Sequence, residues 1–434
     1  MEVIKAYQLL DNEIKELKLN PSFVSNREWG LLNIYDLEKT YFSSFGGAIT
    51  NSSAFNYSLL NKEEKQKVLD MLVGKDGLRY SRFRLCIGSS DFSTESYSYV
   101  DENDESLESF SITKDRQIIE FTKDIIKNAY FKPRFFASCW SMPAFMKTNN
   151  DRLHGGKLKL EYYELYAEYI YKFLKAYKDE GIDIDAITIQ NEPKATQTWE
   201  SCVFEAEDEA NFAKVLTKVL AKHNLKIDLY CWDHNKERLF ERVDETVSIS
   251  PGLFKGAAFH WYSGNHFDAI EALRKKHPDL EILETEFCVA YNFDRTKFSY
   301  SCEILNDIRC GTNSIVEWNV LLNEDGGPFH DRGNYKNGGC EAPVKLNTKT
   351  LKVEKGPTYN ETYMFSRFID NDAKILYTST YDENVKVSAV KNPNGEIVVN
   401  ILNSLDEQDT CIYYKKEHLQ VVLPKGSLTT IIIK

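Results

Sequence analysis

Short apolar segments that alternate with helical patterns are the feature that most constrains the fold of this 434-residue chain. Each segment has the length of a buried strand, and apolar residues recur at helical spacing between the segments. The segments are FSSFGGAI (Phe42–Ile49), YSRFRLCI (Tyr80–Ile87), RFFASCW (Arg134–Trp140), AITIQ (Ala186–Gln190), KIDLYCW (Lys226–Trp232), GAAFHWY (Gly256–Tyr262), EILETE (Glu281–Glu286) and SIVEWNVLL (Ser314–Leu322). Eight strands that alternate with helices predict a closed (β/α)8 barrel. An open doubly wound sheet is the alternative, and the absence of a glycine-rich nucleotide turn after the first segment disfavours it.

The clearest helical pattern lies between the third and fourth segments. Its apolar and aromatic residues recur at three- and four-residue spacing, at Tyr162, Tyr166, Tyr169, Ile170, Phe173 and Tyr177. This spacing places them on one face of a helix. Gly181 follows the pattern, and a glycine after the last turn is typical of a helix C-terminus.

The pattern changes after about residue 345. The stretch VKVSAV alternates apolar and polar residues, NPNG predicts a turn, and a second strand is predicted at Ile397–Leu402. These features indicate an all-β sandwich. Residues before about 35 do not fit the barrel, and we predict that they complete the sandwich. The predicted organisation is an N-terminal segment (1–35), a catalytic barrel (36–344) and a C-terminal sandwich (345–434).

Composition excludes several classes of function. The net charge of −12 disfavours nucleic acid as a partner, because an acidic surface repels phosphate. No apolar run approaches the ~20 residues that span a membrane. The N-terminal stretch MEVIKAYQLLDNEIKELKL lacks the apolar core of a signal peptide, which predicts a cytoplasmic location. Nine cysteines without a CxxC pair predict free thiols. Since HExxH is also absent, no metal is expected.

Polar and aromatic residues lie where the predicted strands end, which is where barrel enzymes carry their chemistry. In chain order they are Arg84, Asp91, Trp140, Asn191, Glu192, Asp233, His234, His260, Tyr262, Glu286, Trp318 and Asn319. Taken singly, each is more typical of a packed or ion-paired residue. Their coincidence at one mouth of one barrel is what predicts a functional site.

Two of these residues, Glu192 and Glu286, follow strands that would face each other across the barrel. Two carboxyl groups that flank a glycosidic bond are the equipment for its hydrolysis. One must carry a proton and the other must be ionised, and mutual repulsion and unequal burial would separate their pKa values. A separation of about 5–5.5 Å would predict a covalent intermediate and retained stereochemistry. Glu284 is an alternative to Glu286, because alternation along a strand would place both on one face. We favour Glu286, which lies nearer the strand end.

Several motifs together resemble glycoside hydrolase family 30, the glucosylceramidase family. They are NEPKATQTWESC, LETEFC, WDHN, FHWYSG and EWNVLLNEDGGP, with FGGAIT, SSDFSTESYSY and ASCWSMPAFMKTN, and they extend in order from about Phe45 to Pro343. The resemblance implies a (β/α)8 barrel and a β-sandwich built from both ends of the chain. Unlike the lysosomal members of the family, this sequence begins without a signal peptide. That difference favours small imported glycosides over ceramide lipids as substrates.

The resemblance also implies a role for most of the predicted site residues. Glu192 would be the general acid/base and Glu286 the nucleophile, which would settle the choice against Glu284. The supporting residues would be Arg84 and His260 on the nucleophile, Tyr262 beside the carboxylates, Asn191 on the sugar 2-hydroxyl, Asp91, Trp140 and Trp318 on the terminal sugar, and Asp233, His234 and Asn235 lining the mouth.

The predicted function is therefore that of a retaining, exo-acting β-glycosidase that needs no cofactor, and a β-glucosidase of glucosylceramidase type is favoured. Within the family, β-xylosidase and β-1,6-glucanase activities are alternatives, and a sugar acceptor in place of water would make the enzyme a transglycosylase. A non-catalytic sugar-binding protein is the alternative from another class. The presence of both Glu192 and Glu286 argues against it. No feature of the sequence indicates an oligomeric state.

Overall fold

A computed structural model describes residues 1–19, 30–290, 299–330 and 339–434 of the chain. The strands are β1 (Val3–Leu10), β2 (Glu13–Glu16), β3 (Leu31–Phe42), β4 (Ser44–Ile49), β5 (Arg82–Ile87), β6 (Arg134–Cys139), β7 (Ile184–Thr188), β8 (Asp228–Asn235), β9 (Gly256–His260), β10 (Glu281–Glu286), β11 (Ser314–Glu317), β12 (Leu321–Asn323), β13 (Val344–Asn347), β14 (Lys352–Lys355), β15 (Ala373–Thr380), β16 (Val385–Lys391), β17 (Ile397–Asn403), β18 (Gln408–Tyr414), β19 (Glu417–Leu423) and β20 (Ser427–Ile433). The α-helices are α1 (Asn51–Ser58), α2 (Lys62–Leu72), α3 (Arg116–Asn128), α4 (Tyr163–Asp179), α5 (Ala206–Lys222), α6 (Leu239–Ile249), α7 (Phe267–Lys276), α8 (Ser299–Cys310) and α9 (Tyr359–Ser366).

Strands β4 to β11 close into a parallel barrel in sequence order, and β11 pairs back onto β4. The predicted barrel is confirmed, and the open sheet is excluded. The eighth predicted segment, however, is divided: β11 ends at Glu317, and β12 joins a separate three-stranded sheet with β13 and β14. The division occurs at Asn319, whose φ of 66° turns the chain out of the extended conformation.

One layer of apolar side chains fills the barrel interior below the mouth. It is separate from the larger core in which strands pack against helices, and consists of Phe136, Ala186, Tyr230, Ala258, Leu283 and Val316. Each residue belongs to a different strand, as expected for a packed barrel layer. Since this layer closes the interior, the polar residues gather at the carboxyl ends of the strands.

Helix α4 has the amphipathic face that its sequence predicts. Tyr166, Phe173 and Tyr177 are all buried on that face. The helix ends at Asp179, and Gly181 has a φ of 82°. A positive φ is readily adopted by glycine, which explains its position after the last turn.

The remaining strands form a nine-stranded sheet in the order β19-β18-β3-β15-β16-β17-β20-β1-β2. Residues from both ends of this order share one core; Val421 of β19, for example, lies in the same cluster as Ala6 of β1. The sheet therefore folds onto itself as a sandwich, and the prediction that N-terminal residues complete it is confirmed. The boundaries drawn at residues 35 and 344 stay predictions.

Two further expectations concern the whole chain. All nine cysteines lie in the described residues, and none of them forms a disulfide. In the parts of the chain that the structure describes, no helix is both long enough and apolar enough to cross a bilayer.

Gly46 in β4 provides a test of how closely the barrel strands pack. A Cβ atom at this position would lie 1.5 Å from the carbonyl oxygen of Arg82 in β5. We expect Gly46→Ala to force the two strands apart and to lower the free energy of unfolding by more than about 3 kcal/mol. The control is Gly395→Ala, where nothing lies within 4 Å and only the φ of 86° opposes a side chain; its cost is about 1–2 kcal/mol. Equal losses in chemical denaturation would contradict this account.

Candidate active site

Four non-glycine residues at the barrel mouth have a left-handed backbone conformation. Glu192 lies in the turn after β7, its N–H donates to the carbonyl of Asp233 over 3.0 Å, and its φ is 46°. Trp232, Asp233 and Asn319 at neighbouring strand ends also have positive φ values. Non-glycine residues adopt this region at a cost, and such residues tend to cluster at functional sites. Three of the four, Glu192, Asp233 and Asn319, are predicted site residues.

Glu286 is held at the mouth by two hydrogen-bond donors. It ends β10 and is 7% exposed. Its Oε2 accepts from Nη1 of Arg84 over 2.6 Å, and its Oε1 accepts from the hydroxyl of Tyr262 over 3.0 Å. Both oxygens are engaged, one by a cation, which suits an ionised carboxylate that attacks carbon.

Glu284 does not share this position, and the expectation that both carboxyl groups lie on one strand face is wrong. The pairing of β10 with β9 shifts register between Glu284 and Glu286. Leu283 and Thr285 face the interior, where the Thr285 hydroxyl donates to Asp233, so Glu284 between them faces outward and the shift brings Glu286 to the mouth. Glu284 is fully buried on the outer side of the strand, beside Glu303 of α8.

A buried carboxyl cluster surrounds Glu284. Its carboxylate oxygens and those of Glu303 and Asp307 lie within 4.8 Å of one another, and Lys236 is ion-paired to Glu303. Burial raises the pKa of Glu303 to about 8, and burial together with the neighbouring carboxyl groups raises the pKa of Glu284 well above its usual value. Near neutral pH the cluster therefore retains protons and supports β10 from behind.

Arg84 of β5 is the cation on which the mouth is built. It is fully buried, and its Nε donates to Ser138 over 3.0 Å. Its Nη2 donates to Asn191 over 2.7 Å and to Asp233 over 2.8 Å, while Nη1 reaches Glu286. One guanidinium thus connects residues from β6, the turn after β7, β8 and β10.

Asp233 was expected to line the mouth, but the structure places it underneath, with no exposed surface. It accepts hydrogen bonds from the side chains of Arg84, Ser138, Thr188, His260 and Thr285. Burial alone would raise the pKa of Asp233, but the charge of Arg84 and the hydrogen bond from His260 outweigh it and lower the pKa. Asp233 is therefore the buried anion that orders the donors around it.

Sequence reasoning did not single out Ser138, Thr188 or Thr285. Each is a hydroxyl residue at a buried, inward-facing position of a barrel strand. A polar residue at such a position needs a hydrogen-bond partner. That requirement is the signal that would have pointed to a buried network beneath the mouth.

His260 was expected to contact the nucleophile, but its hydrogen bonds lie with the other carboxylates. Its Nδ1 is 3.4 Å from Oε1 of Glu192, and its Nε2 is 3.1 Å from Oδ1 of Asp233. Burial would lower the pKa of His260, yet the charge of Glu286 and the hydrogen bonds to Asp233 and Glu192 raise it to about 9. His260 acts on Glu286 by charge and on Glu192 by contact.

Glu192 differs from Glu286 in its surroundings. Its side chain is 17% exposed, and Nδ1 of His234 lies 3.7 Å from its Oε1. Burial raises the pKa of Glu192, but the hydrogen bond from His260 and the charges of both histidines and of Arg84 lower it below its usual value. The proton expected on one carboxyl group is thus held by the Glu192–His260 pair, with the imidazole as its main carrier.

The predicted sugar-binding aromatic residues form the wall of the mouth. Trp140 and Trp318 stack at 5.2 Å between ring centroids, and Arg84 lies 4.6 Å from the centroid of Trp140. Asp91 is buried in the loop after β5, and Asn319 accepts a hydrogen bond from Thr50 over 2.6 Å. Their contacts with a sugar stay predictions, as do the catalytic roles of the two glutamates.

The chain matches both halves of one known architecture. The TIM-barrel domain of glycosyl hydrolase family 30 matches residues 42–369, and the beta sandwich domain of the same family matches residues 372–431. The chain belongs to glycosyl hydrolase family 30. It is therefore a glycoside hydrolase, and its substrate is a carbohydrate.

Relatives within the family differ in what their names state. Putative glucosylceramidase 4 of Caenorhabditis elegans is 28% identical over 425 residues, covering 90% of this chain and 80% of the relative. The endo-1,6-beta-D-glucanase neg1 of Aspergillus fumigatus is 26% identical over 396 residues, covering 83% of this chain and 78% of the relative. The crystal structure of SrfJ from Salmonella typhimurium aligns with a TM-score of 0.91 at 26% identity and covers 99% of this chain and 100% of its own.

The buried Arg84 tests the ionic basis of the mouth. Arg84→Met removes the guanidinium from the carboxylates of Asp233 and Glu286 and leaves His260 as the cation nearest to both. We expect the free energy of unfolding to fall by about 3–5 kcal/mol, the cost of removing one partner from a buried ion pair. Arg116→Met removes an exposed arginine whose partner Glu120 is also exposed, and the change should stay within about 0.5 kcal/mol. Chemical denaturation measures both, and a loss no larger for Arg84→Met would refute the account.

Glu284→Gln tests the protonated cluster and the choice of nucleophile together. The raised folded-state pKa values of Glu284 and Glu303 mean that the folded protein binds more protons than the unfolded chain above about pH 4.5. Their contribution to stability is present below pH 4.5 and is lost as the pH rises through about 8, the pKa of Glu303. A glutamine mimics the neutral acid, so the variant should match the wild type at pH 5 and be the more stable at pH 9. It should also keep its hydrolytic activity, unlike Glu286→Gln.

Proposed function

We propose that this chain is a retaining β-glycosidase in which Glu286 is the nucleophile and Glu192 is the general acid/base. The observation that carries the proposal is that two carboxyl groups at the barrel mouth differ in their hydrogen-bond partners and in their exposure. Glu286 is bound on both oxygens by Arg84 and Tyr262. Glu192 is more exposed and is paired with a protonated imidazole, His260. Such a pair of environments suits one nucleophile and one proton donor.

The proposed reaction proceeds in two displacements. Glu286 attacks the anomeric carbon while Glu192 passes the shared proton to the departing oxygen, which gives a glycosyl ester and a free alcohol. Glu192 then takes a proton from water as the water oxygen attacks the same carbon, which releases the sugar and restores Glu286. In the ester Glu286 no longer carries a negative charge, and that charge is the largest influence that raises the pKa of His260. The imidazole therefore holds its proton less firmly in the second step.

For the substrate, we propose a terminal β-glucoside, as in the glucosylceramidases. The support is the similarity over most of the chain to a relative named putative glucosylceramidase 4. The second candidate is a β-1,6-glucan, supported by the similarity to the fungal endo-1,6-beta-D-glucanase. A β-xyloside remains the third. Action on a glucosyl lipid, and with it a place in sphingolipid metabolism, is the finer proposal.

We also propose that the enzyme acts in the cytoplasm on small glycosides. The support is that none of the nine cysteines forms a disulfide, which is typical of proteins in a reducing compartment. Fractionation of the native host, with enzyme activity as the marker, tests the location. Activity recovered only outside the cytoplasm would overturn the proposal.

Substrate class is tested with aryl β-glucoside, β-xyloside, β-galactoside and β-fucoside, beside a β-1,6-linked glucan. Turnover of the glucoside alone supports the β-glucosidase proposal, whereas turnover of the glucan or the xyloside selects that alternative. Proton NMR of the first-released sugar tests retention, because a retaining enzyme releases the β-anomer first. A folded protein that binds these sugars without cleaving any of them would instead favour the sugar-binding alternative.

Glu192→Ala tests the role of the acid/base directly. On a substrate with a poor leaving group we expect kcat to fall by about 10²–10⁴, the usual contribution of a positioned proton donor. On an aryl glycoside with a good leaving group, the first step needs no proton and the ester accumulates. Azide needs no general base, so it should restore turnover and yield the β-glycosyl azide. An α-glycosyl azide, or no rescue, would overturn the assignment, and Glu200→Ala, at another buried glutamate, serves as the control that azide does not rescue.

A further inference from the structure

We propose that Glu192, His234 and His260 form a binding site for a borderline transition-metal ion such as Zn²⁺ or Co²⁺, which inhibits the enzyme by occupying the acid/base. The three ligand atoms, one carboxylate oxygen and two imidazole nitrogens, lie within 4.8 Å of one another. The three residues come from the ends of three consecutive barrel strands, so they form no recognisable metal-binding motif in the sequence. Two imidazoles and one glutamate are also the protein ligands of a known class of zinc site.

Two of the three distances between ligand atoms are close to those around a tetrahedral ion. With metal–ligand bonds of about 2.0–2.1 Å, neighbouring ligand atoms of a tetrahedron lie about 3.3 Å apart. Oε1 of Glu192 lies 3.4 Å from Nδ1 of His260 and 3.7 Å from Nδ1 of His234. The ligand nitrogens of the two imidazoles lie within 4.8 Å of each other, and bringing them to about 3.3 Å would complete the three bonds and leave the fourth position for water.

His260 already has the support that metal-binding histidines usually have. Its Nε2 lies 3.1 Å from Asp233, which is ionised and only accepts, so Nε2 carries the hydrogen. The nitrogen that faces Glu192 is then Nδ1. A carboxylate behind the imidazole fixes its orientation and raises its basicity toward a metal. Asp233 is itself held by Arg84 and three hydroxyl groups, so this support is rigid.

His234 supplies an independent indication. Its side chain is 12% exposed, and its buried Nδ1 has no hydrogen-bond partner. Burial lowers the pKa of His234, so the ring is neutral at pH 7 and able to offer a lone pair. A buried imidazole nitrogen left without a partner is uncommon, and a metal ion would satisfy it.

The charge balance and the access route are both favourable. Glu192, Glu286 and Asp233 place three carboxylates around the site, against Arg84 and the proton on His260. Binding exchanges that proton for a divalent ion and releases the proton to solvent. Glu192 is partly exposed at the open mouth, so an ion has a path inward. Binding depends only on this geometry, whereas inhibition rests on the proposed function of Glu192.

The first experiment measures metal binding, by calorimetry with Zn²⁺ and by the visible absorption spectrum with Co²⁺. We expect one ion per chain and the strong d–d absorption of four-coordinate Co²⁺. His234→Gln and Glu192→Gln should each weaken binding at least about tenfold, since even outer partners of a metal are worth 10–100-fold. His154→Gln is the matched control, because it removes an exposed histidine beside a carboxylate, Asp151, and should change nothing.

A second control addresses the thiols. Sγ atoms of Cys288 and Cys340 lie 3.4 Å apart and are the other plausible ligands for Zn²⁺ near the mouth. Loss of binding in Cys340→Ser with full binding in His234→Gln would overturn the proposal, as would an octahedral Co²⁺ spectrum or no bound ion. Thermal unfolding confirms that each variant is folded.

Inhibition is measured separately, as the fall in each protein's rate on adding Zn²⁺, relative to its own rate with EDTA. The wild type should be inhibited and recover with EDTA, and His234→Gln should need at least about ten times more Zn²⁺. If the ion binds at these ligands but Glu192→Gln still hydrolyses glycosides, the metal site stands and the proposed role of Glu192 fails. If no ion binds while Glu192→Ala is rescued by azide, the proposed role of Glu192 stands and the metal site fails.

Discussion

The buried ion pair between Arg84 and Asp233 is the interaction on which the mouth depends. Both residues are completely buried, and a charge in that position is tolerated only with full compensation. Arg84 reaches Glu286 and Asn191, and Asp233 reaches His260 and the hydroxyl layer beneath. Their shared bond therefore ties the strands that carry the two glutamates into one arrangement. Displacing any member would leave a buried donor or acceptor unpaired, so the geometry is enforced as a unit.

The same network explains how two carboxyl groups at one site acquire different tasks. From the sequence, mutual repulsion was expected to separate the pKa values of Glu192 and Glu286. In the structure the two carboxyl groups differ in their hydrogen-bond partners: a guanidinium and a phenol bind Glu286, while an imidazole faces Glu192. His260 connects the two halves, because it touches Glu192 and feels the charge of Glu286. In the proposed mechanism, formation of an ester on Glu286 would thus change the proton affinity beside Glu192 without any movement of the backbone.

Much of this arrangement was predictable from sequence, and the exceptions share a cause. Strand order, the face of α4 and the position of Glu192 follow from periodicity and from residues at strand ends, which are local signals. Asp233 was placed at the mouth because a strand end was identified, but its left-handed φ of 53° turns it inward. The register shift in β10 similarly changed the facing of Glu286, so that it and Glu284 lie on different faces of the strand. Bulges and positive φ values in non-glycine residues are stabilised by tertiary contacts, so no local pattern announces them. The hydroxyl layer of Ser138, Thr188 and Thr285 has meaning only once the strands are neighbours.

The position of β1 beside β20 has a consequence for how the protein is made. Ala6 pairs with Ile431, although these residues are at opposite ends of the sequence. The strands of the barrel emerge from the ribosome in the order in which they pair, so each finds its neighbour soon after synthesis. In the sandwich, β1 can pair early with β2, but its other edge must wait for β20, the last strand. During translation the apolar side of β1 therefore remains uncovered longer than any barrel strand, and a chaperone that protects nascent chains would have its main task there.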